Sequence, residues 1–190
     1  MRKRSPGFFV GFSALLLVML AVLELNKNMI AGWLLCLAAA CVYVLLCGRT
    51  ERRALRALLI SNLITLHAKT GIGRLSAYCG AVSAGAGAAS GVAYLQGGRF
   101  EVIAHTIVNT VAVTSGIVCD GAKASCAAKI AAAVDAGLLG LAMYRSGNEF
   151  FGGDGIVKKG VERTIEIVGK LASRGMVETD KEIIRLMMEK

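Results

Sequence analysis

The chain has 190 residues, which is enough for one ordinary domain with a hydrophobic core but not comfortably enough for two. Its residues are 55% hydrophobic and only 18% charged, more apolar than a soluble globular domain, so part of the chain is expected in a membrane or against another surface. The net charge is +9, and most of it flanks the apolar segments near the N-terminus. Because no basic patch with interleaved aromatic residues occurs, nucleic-acid binding is excluded as the expected function.

Two long apolar runs open the sequence, at residues 8–25 and 29–47. Both approach the roughly 20 residues with which a helix crosses a bilayer. Lysine and arginine clusters precede the first run and follow the second, so the positive-inside rule places both flanks in the cytoplasm. We therefore predict a transmembrane helical hairpin over residues 1–48 and a cytoplasmic domain over residues 49–190, tethered to the inner membrane. The alternative is that the two runs are the apolar remnant of a soluble core whose other half is missing.

The rest of the chain shows helical patterns and no alternating strand pattern, which predicts an all-α fold. Leucines at helical spacing predict a first helix from about residue 50, and the Gly/Ala-rich stretch 75–95 predicts a buried helix that packs closely on its neighbours. Further helices are expected at 100–113, 122–144 and 157–173. Thr179 is expected to cap the last helix, with Ile183, Ile184 and Met187 on its inner face. The predicted architecture is a bundle of closely packed Gly/Ala-rich helices with an apolar N-terminal helical hairpin.

Six cysteines occur, and their setting argues against disulfides. The three in or at the end of the second apolar run are interpreted as small hydrophobic residues. Cys79, Cys119 and Cys126 lie instead among glycines and small polar residues, which favours metal or redox chemistry in a reducing compartment. The two histidines, His67 and His105, have no carboxylate at ligand spacing, so structural roles are expected for them.

The segment C-D-G-A-K-A-S-C, residues 119–126, carries the clearest chemical signal. Asp120 and Gly121 predict a turn that places Cys119 at the mouth of the following helix, where amide donors favour a thiolate. Lys123 would lower a thiol pKa or hold a substrate carboxylate, and Cys126 would point back to the same mouth. Three thiolates at a glycine-lined backbone suit an iron–sulfur cluster with one open iron. The alternative is three buried free cysteines in a core of small residues.

Several motifs together resemble the iron–sulfur L-cysteine desulfidase and L-serine dehydratase alpha-chain family. They are S-N-L-I-T at 61–65, G-R-L-S-A-Y-C-G at 73–80, the Gly/Ala-rich helix, the segment 116–126, D-G-I at 154–156 and the segment 175–180. The resemblance covers roughly residues 55–190, and the C-D-G-A-K-x-x-C element is its most specific part.

The resemblance implies a 4Fe-4S cluster held at the positions of Cys79 and Cys119, with Cys126 as a further ligand. It also implies β-elimination of sulfide from L-cysteine, or of water from L-serine, to give pyruvate and ammonia. Asn62, within the S-N-L-I-T motif, is expected to face the substrate, and Lys123 is the second candidate catalytic residue.

Family members are about twice as long as this chain, and the two apolar runs stand where their N-terminal half would be. A partner chain that supplies this half, or a homo-oligomer, is therefore expected. The main alternative is a non-catalytic, membrane-attached helical remnant of the enzyme; a truncated gene model is a further possibility.

Overall fold

The computed structural model of the protein describes residues 51–73 and 75–189. Nearly all of them belong to the second of two compact units, which span Met1–Ala54 and Leu55–Lys190. The transmembrane hairpin predicted for residues 1–48 lies outside the described residues and stays a prediction.

The described part of the chain consists of helices joined by loops, without a β-strand, which confirms the all-α prediction. Its helices are α1 (Glu51–Ile72), α2 (Ala81–Leu95), α3 (Phe100–Thr114), α4 (Ser125–Arg145), α5 (Val161–Lys170), a π-helical turn (Leu171–Gly175) and α6 (Val177–Met188). Within these ranges the β-type pairing is limited to one isolated antiparallel bridge, between Tyr78 and Val118.

Helices α2, α3 and α4 pack extensively against one another. Glycines make this possible: a Cβ added to Gly85 would lie 2.6 Å from the carbonyl carbon of Ala133, and one added to Gly137 would lie 2.6 Å from the Cβ of Ala89. Because only glycine permits this approach, the Gly/Ala-rich stretch is a tightly packed buried helix, as predicted. It begins at Ala81 rather than at residue 75, since the preceding residues form the β-bridge.

The largest hydrophobic cluster lies where α2 and α3 meet α5. Its buried members are Ile72, Tyr78, Val82, Ala86, Ile107, Val111, Ile165, Val168 and Ala172. Three buried threonines of α3 keep their hydroxyls paired: those of Thr106, Thr110 and Thr114 each donate to the carbonyl four residues earlier in the helix. The threonines of α3 therefore help to fill the core.

The predictions for the last helix were wrong. Helix α6 begins at Val177, and Met176 occupies the capping position that was expected for Thr179. Ile184 and Met187 are exposed, Ile183 is half-buried, and α6 has no fully buried residue. The helical spacing of its apolar residues indicated a buried face, but the described residues cover this face only in part, as where Cε of Met187 lies 3.0 Å from the position of a Cβ added to Gly121.

Helix α4 is long and apolar enough to cross a membrane by the measures of length and composition, with a mean hydropathy of 1.6. The core helix of a soluble protein passes the same test, and α4 packs against both α2 and α3. It begins at Ser125, three residues later than predicted.

Candidate functional site

The β-bridge brings two of the predicted cysteines together from segments forty residues apart. The Cys79 N–H donates to the carbonyl oxygen of Ile117 at 3.1 Å, and the Cys119 N–H donates to that of Ala77 at 2.6 Å. Cys79 is buried and Cys119 is half-buried, and both pack in one cluster with Ala133 of α4. The backbone therefore holds these two cysteines in neighbouring positions at one end of the α2–α4 contact.

Cys126 lies beside the same segment but is held by different partners. Its Sγ lies 3.4 Å from the carbonyl oxygen of Gly121, to which the thiol donates, and 3.5 Å from the backbone nitrogen of Lys123, from which it accepts. Because α4 begins only at Ser125, Cys126 lies in the first turn of the helix and Cys119 precedes the helix by six residues. The prediction that Cys119 occupies the mouth of this helix was therefore wrong; Cys126 is closer to that position.

A cluster of charged side chains lies at the turn between Cys119 and Cys126. The Asp120 carboxylate forms ion pairs with the ammonium groups of Lys123 and Lys129. Lys129 also donates to the carbonyl oxygen of Val118 at 2.8 Å. Hydrogen bonds from Lys123 and then Lys129 lower the pKa of Asp120 to about 2, and the bond to Asp120 raises the pKa of Lys129. Asp120 therefore ties the turn to the first two turns of α4.

Lys129 was not among the site residues predicted from the sequence. A signal was present, because Lys129 follows Cys126 by three residues, and residues at this spacing share one face of a helix. The sequence pointed to Lys123 instead, because it lies within the conspicuous C-D-G-A-K-x-x-C element.

The Cys79 thiol has a raised pKa, mainly because of its burial. The Ala81 N–H opposes this effect by donating a hydrogen bond to the sulfur, while Cys119 raises the pKa, Lys129 lowers it and Cys126 raises it. All these groups are thus close enough to act on one thiol electrostatically. A buried thiol of this kind becomes a thiolate when a cation such as a metal compensates its charge.

The donor set fits an iron–sulfur cluster in its chemistry, since Cys79, Cys119 and Cys126 are all free thiols in one neighbourhood. Within the residues that the structure describes, however, no three His, Cys, Asp or Glu side chains are close enough to hold a metal ion as they stand. Cys79 and Cys119 are fixed by the bridge, whereas Cys126 is bonded within its own turn. Cluster binding therefore requires the 119–126 turn to rearrange.

Asn62 and Lys123 are both accessible. Asn62 is exposed on α1, and the Lys123 side chain is about half exposed, with its ammonium on Asp120. The structure brings Lys123 to the cysteine-bearing turn, and it places Asn62 on a different element.

Both histidines have carboxylate partners that are distant in sequence, so no local spacing pattern predicted these pairs. The Nδ1 atom of His105 lies 2.6 Å from Oε2 of Glu149, and its ring stacks on Tyr144 with a centroid distance of 4.6 Å. Neither of these buried atoms has a hydrogen-bond partner among the described residues, so their contact is a close ion-pair approach without hydrogen-bond geometry. His67 pairs with Glu162 at 2.8 Å on the surface. These pairs link separate elements, as expected for structural roles.

Comparison with known proteins gives a result that agrees with the resemblance seen in the sequence motifs. The model of the family described as serine dehydratase alpha chain matches residues 31–185, so the match begins within the second apolar run. A UPF0597 protein of Desulfitobacterium hafniense is 64% identical over 138 residues, which cover 73% of this chain and 32% of the relative. UPF0597 proteins of Treponema denticola and Lachnoclostridium phytofermentans are 51% and 56% identical over 74% and 73% of this chain, and 32% and 33% of their own lengths.

The chain thus spans about a third of the length of these curated relatives. No solved structure matches it.

Proposed function

Because the chain belongs to the serine dehydratase alpha chain family, we propose that it is the cysteine-bearing part of an iron–sulfur-dependent lyase. The reaction is elimination of sulfide from L-cysteine, or of water from L-serine, to give pyruvate and ammonia. The observation that carries the proposal is the backbone bridge that holds the free cysteines Cys79 and Cys119 in neighbouring positions, with the free Cys126 in the turn that follows.

The cofactor in this proposal is a 4Fe-4S cluster with Cys79, Cys119 and Cys126 as ligands. With three thiolates, such a cluster would leave one iron free to act as a Lewis acid on the leaving group of the substrate. The tie between Asp120 and Lys129 holds the ligand-bearing turn against α4. Cys79 is buried in a cluster with Ala81 and Ala133, against which Ile117 packs.

Lys123 is the group of this chain best suited to bind the substrate carboxylate. Its ammonium lies at the cysteine-bearing turn, about half of its side chain is exposed, and an ion pair with an exposed carboxylate is readily exchanged for another. In the proposed complex Lys123 orients the amino acid, and Asn62 adds a polar contact from α1. Both roles stay predictions.

The activity needs a second polypeptide in this proposal. About two thirds of the length of each relative lies outside the region that the chain matches. The cysteines found here supply the cofactor ligands, and the missing length would supply the rest of the substrate site. The location we propose is cytoplasmic, with attachment to the inner membrane through residues 8–47, a segment outside the described residues.

The experiment is anaerobic purification of the full chain with analysis of iron and acid-labile sulfide. Cys79→Ala and Cys119→Ala are the test variants, and Cys36→Ala is the matched control because Cys36 lies in an apolar run and is not a proposed ligand. The expected result is about four irons per wild-type chain, as in a 4Fe-4S cluster, with loss of iron in both test variants and retention in the control.

Release of sulfide and pyruvate is then measured with the remaining part of a relative added. A colourless, iron-free wild-type chain would overturn the lyase proposal and favour a non-catalytic remnant of the family. Equal iron in all four proteins would exclude Cys79 and Cys119 as ligands.

A further inference from the structure

Helix α4 carries Cys126 on the face that meets the other two cysteines. Ile130 and Ala133, about one and two turns further along the helix, pack in the cluster that contains Cys79 and Cys119. At about 100° per residue, positions 126, 130 and 133 fall within about 60° of the helix circumference. Cys126 is half-buried, and its thiol is engaged in the bonds within its own turn. Its place on α4 is therefore already one that faces the other two cysteines.

Lys129 flanks this face of α4 and joins it to the β-bridge. It follows Cys126 by three residues, so the two lie one above the other on the helix. Its ammonium donates to the carbonyl oxygen of Val118 at 2.8 Å and pairs with the carboxylate of Asp120. These two partners are the neighbours of Cys119 on either side. The Lys129 side chain therefore fixes the Cys119 segment on the first two turns of α4.

The charged groups at this turn carry an excess of positive charge. Two ammonium groups, those of Lys123 and Lys129, share the single carboxylate of Asp120, so one positive charge is left over. The Lys129 side chain is 23% exposed and that of Lys123 is 51% exposed, so water screens the charge of Lys129 less. Burial raises the pKa of the Cys79 thiol, and the charge of Lys129 acts against this effect. Lys129 is thus the cation placed to compensate thiolates at this site.

We propose that Lys129 is the positioning residue of a three-thiol metal site. Its side chain fixes the Cys119 segment on α4, and its charge compensates the thiolates when a metal centre is bound. The inference deepens the proposed function and rests on it in taking Cys79, Cys119 and Cys126 as metal ligands. It also separates the two lysines: Lys129 acts through the cysteines, whereas the more exposed Lys123 remains the candidate for the substrate carboxylate.

Titration of the iron-free full chain with Co²⁺ tests the inference without iron and without activity. Three thiolates around a divalent ion leave one net negative charge, which the ammonium of Lys129 compensates. Binding is followed anaerobically, with a phosphine as reductant, by the thiolate-to-cobalt charge-transfer absorption. Because the chain has six cysteines, the Cys79→Ala variant gives the baseline for Co²⁺ bound elsewhere in the chain.

Lys129→Gln removes the charge and should weaken Co²⁺ binding about 10–100-fold, as is typical when a group that holds metal ligands in place is lost. Lys129→Arg keeps the charge and should bind Co²⁺ within about threefold of the wild-type chain. Asp120→Asn is the matched control, because it breaks the same ion pair but leaves the ammonium and its bond to Val118; binding should weaken less than about threefold. Lys170→Gln, which breaks an exposed ion pair on α5, should leave Co²⁺ binding unchanged.

Four results would overturn the inference. The first is equal affinity for Co²⁺ in the wild-type chain and Lys129→Gln. The second is equal weakening in Lys129→Gln and Asp120→Asn, because the broken ion pair and not the charge would then be responsible. The third is binding by Lys129→Arg as weak as that by Lys129→Gln. The fourth is a wild-type chain that binds no Co²⁺ above the Cys79→Ala baseline, since the three thiols would then not converge.

Failure of this inference and failure of the proposed function give different results. A wild-type chain that binds Co²⁺ as expected but is free of iron after anaerobic purification would overturn the lyase proposal and leave the role of Lys129 intact. A chain that holds iron, but whose Co²⁺ affinity is the same in Lys129→Gln, would leave the lyase proposal intact and overturn the role of Lys129.

Discussion

Replacing Gly85 with alanine tests how closely α2 and α4 approach. The added Cβ would lie 2.6 Å from the carbonyl carbon of Ala133 and 2.8 Å from its Cβ, whereas ordinary contacts begin at 3.4 Å. The two helices must therefore separate locally by at least about 0.8 Å, because the obstacle is the Ala133 carbonyl group, whose oxygen lies closer still and which is backbone that cannot rotate away. A gap of this size forfeits a quarter to a half of the dispersion energy of the contacts beside it.

The net cost is a difference between two effects. Overpacking a core of this kind costs about 3 kcal/mol when backbone is the obstacle. Alanine recovers about 1 kcal/mol of helix propensity relative to glycine. We therefore expect a loss of about 2 kcal/mol in the free energy of unfolding, or a fall of about 4–8 °C in melting temperature.

Thermal unfolding followed by circular dichroism at 222 nm measures this change. Gly116→Ala is the matched control, because nothing lies within 4 Å of the Cβ it would add and its φ is not positive. Its melting temperature should stay within about 1 °C of that of the wild-type chain. If Gly85→Ala melts within 1 °C of the wild-type chain as well, the close α2–α4 contact and the packing argument drawn from it are wrong.

Three further predictions concern polar groups. The ion pair of Asp120 with Lys129 stabilises the fold while Asp120 is charged; because its pKa is lowered to about 2, this contribution is present above about pH 4 and disappears as the pH falls towards 2. The stability difference between the wild-type chain and Asp120→Asn, measured by urea unfolding, should therefore shrink over that range. Asn109→Ala removes bonds to two backbone groups and should cost about 2–4 kcal/mol in the same assay. Tyr78→Phe should be neutral or stabilising by up to about 1 kcal/mol, since the buried hydroxyl has no partner among the described residues.

Each of these predictions has its own control or contrary result. For Asp120 the control variant is Asp135→Asn, because Asp135 is an exposed carboxylate without an ion pair in the described part of the chain. A stability difference between the wild-type chain and Asp120→Asn that stays constant from pH 6 to pH 2.5 would contradict the reasoning. For Asn109 the control variant is Asn148→Ala, which removes one 3.5 Å hydrogen bond on the surface. This variant should change the free energy of unfolding by less than about 0.5 kcal/mol. A destabilised Tyr78→Phe would mean that the hydroxyl has a partner after all.

The pattern of small residues predicted the packing of α2, because Gly and Ala at helical spacing let helix backbones approach one another closely. The same kind of reasoning failed for α6, where apolar residues at helical spacing lie on an exposed face. Spacing shows which residues share a face, but it does not show whether another surface covers that face. The exposed leucines of α1 illustrate the same limit.

The three cysteines were singled out by their residue type and setting, but the geometry around them was predicted only in part. The motif around Cys119 and Cys126 was visible because its residues are close in sequence. The carboxylate partners of the histidines were missed, since contacts between residues far apart in the chain produce no local spacing pattern. Lys129 was missed although its spacing from Cys126 was a signal.

The sequence by itself determined that the described part of the chain is helical and that its glycine-rich segment is a core helix, and it predicts that the chemistry lies with Cys79, Cys119 and Cys126. These conclusions follow from local rules: periodicity, residue size and the ligand chemistry of thiols. Only the tertiary structure decided that a β-bridge pairs the segments of Cys79 and Cys119, that Cys126 is bonded within its own turn, and that α1 turns its leucines outward. Such facts depend on contacts between residues far apart in the chain, and the free energy of those contacts belongs to the packed fold as a whole.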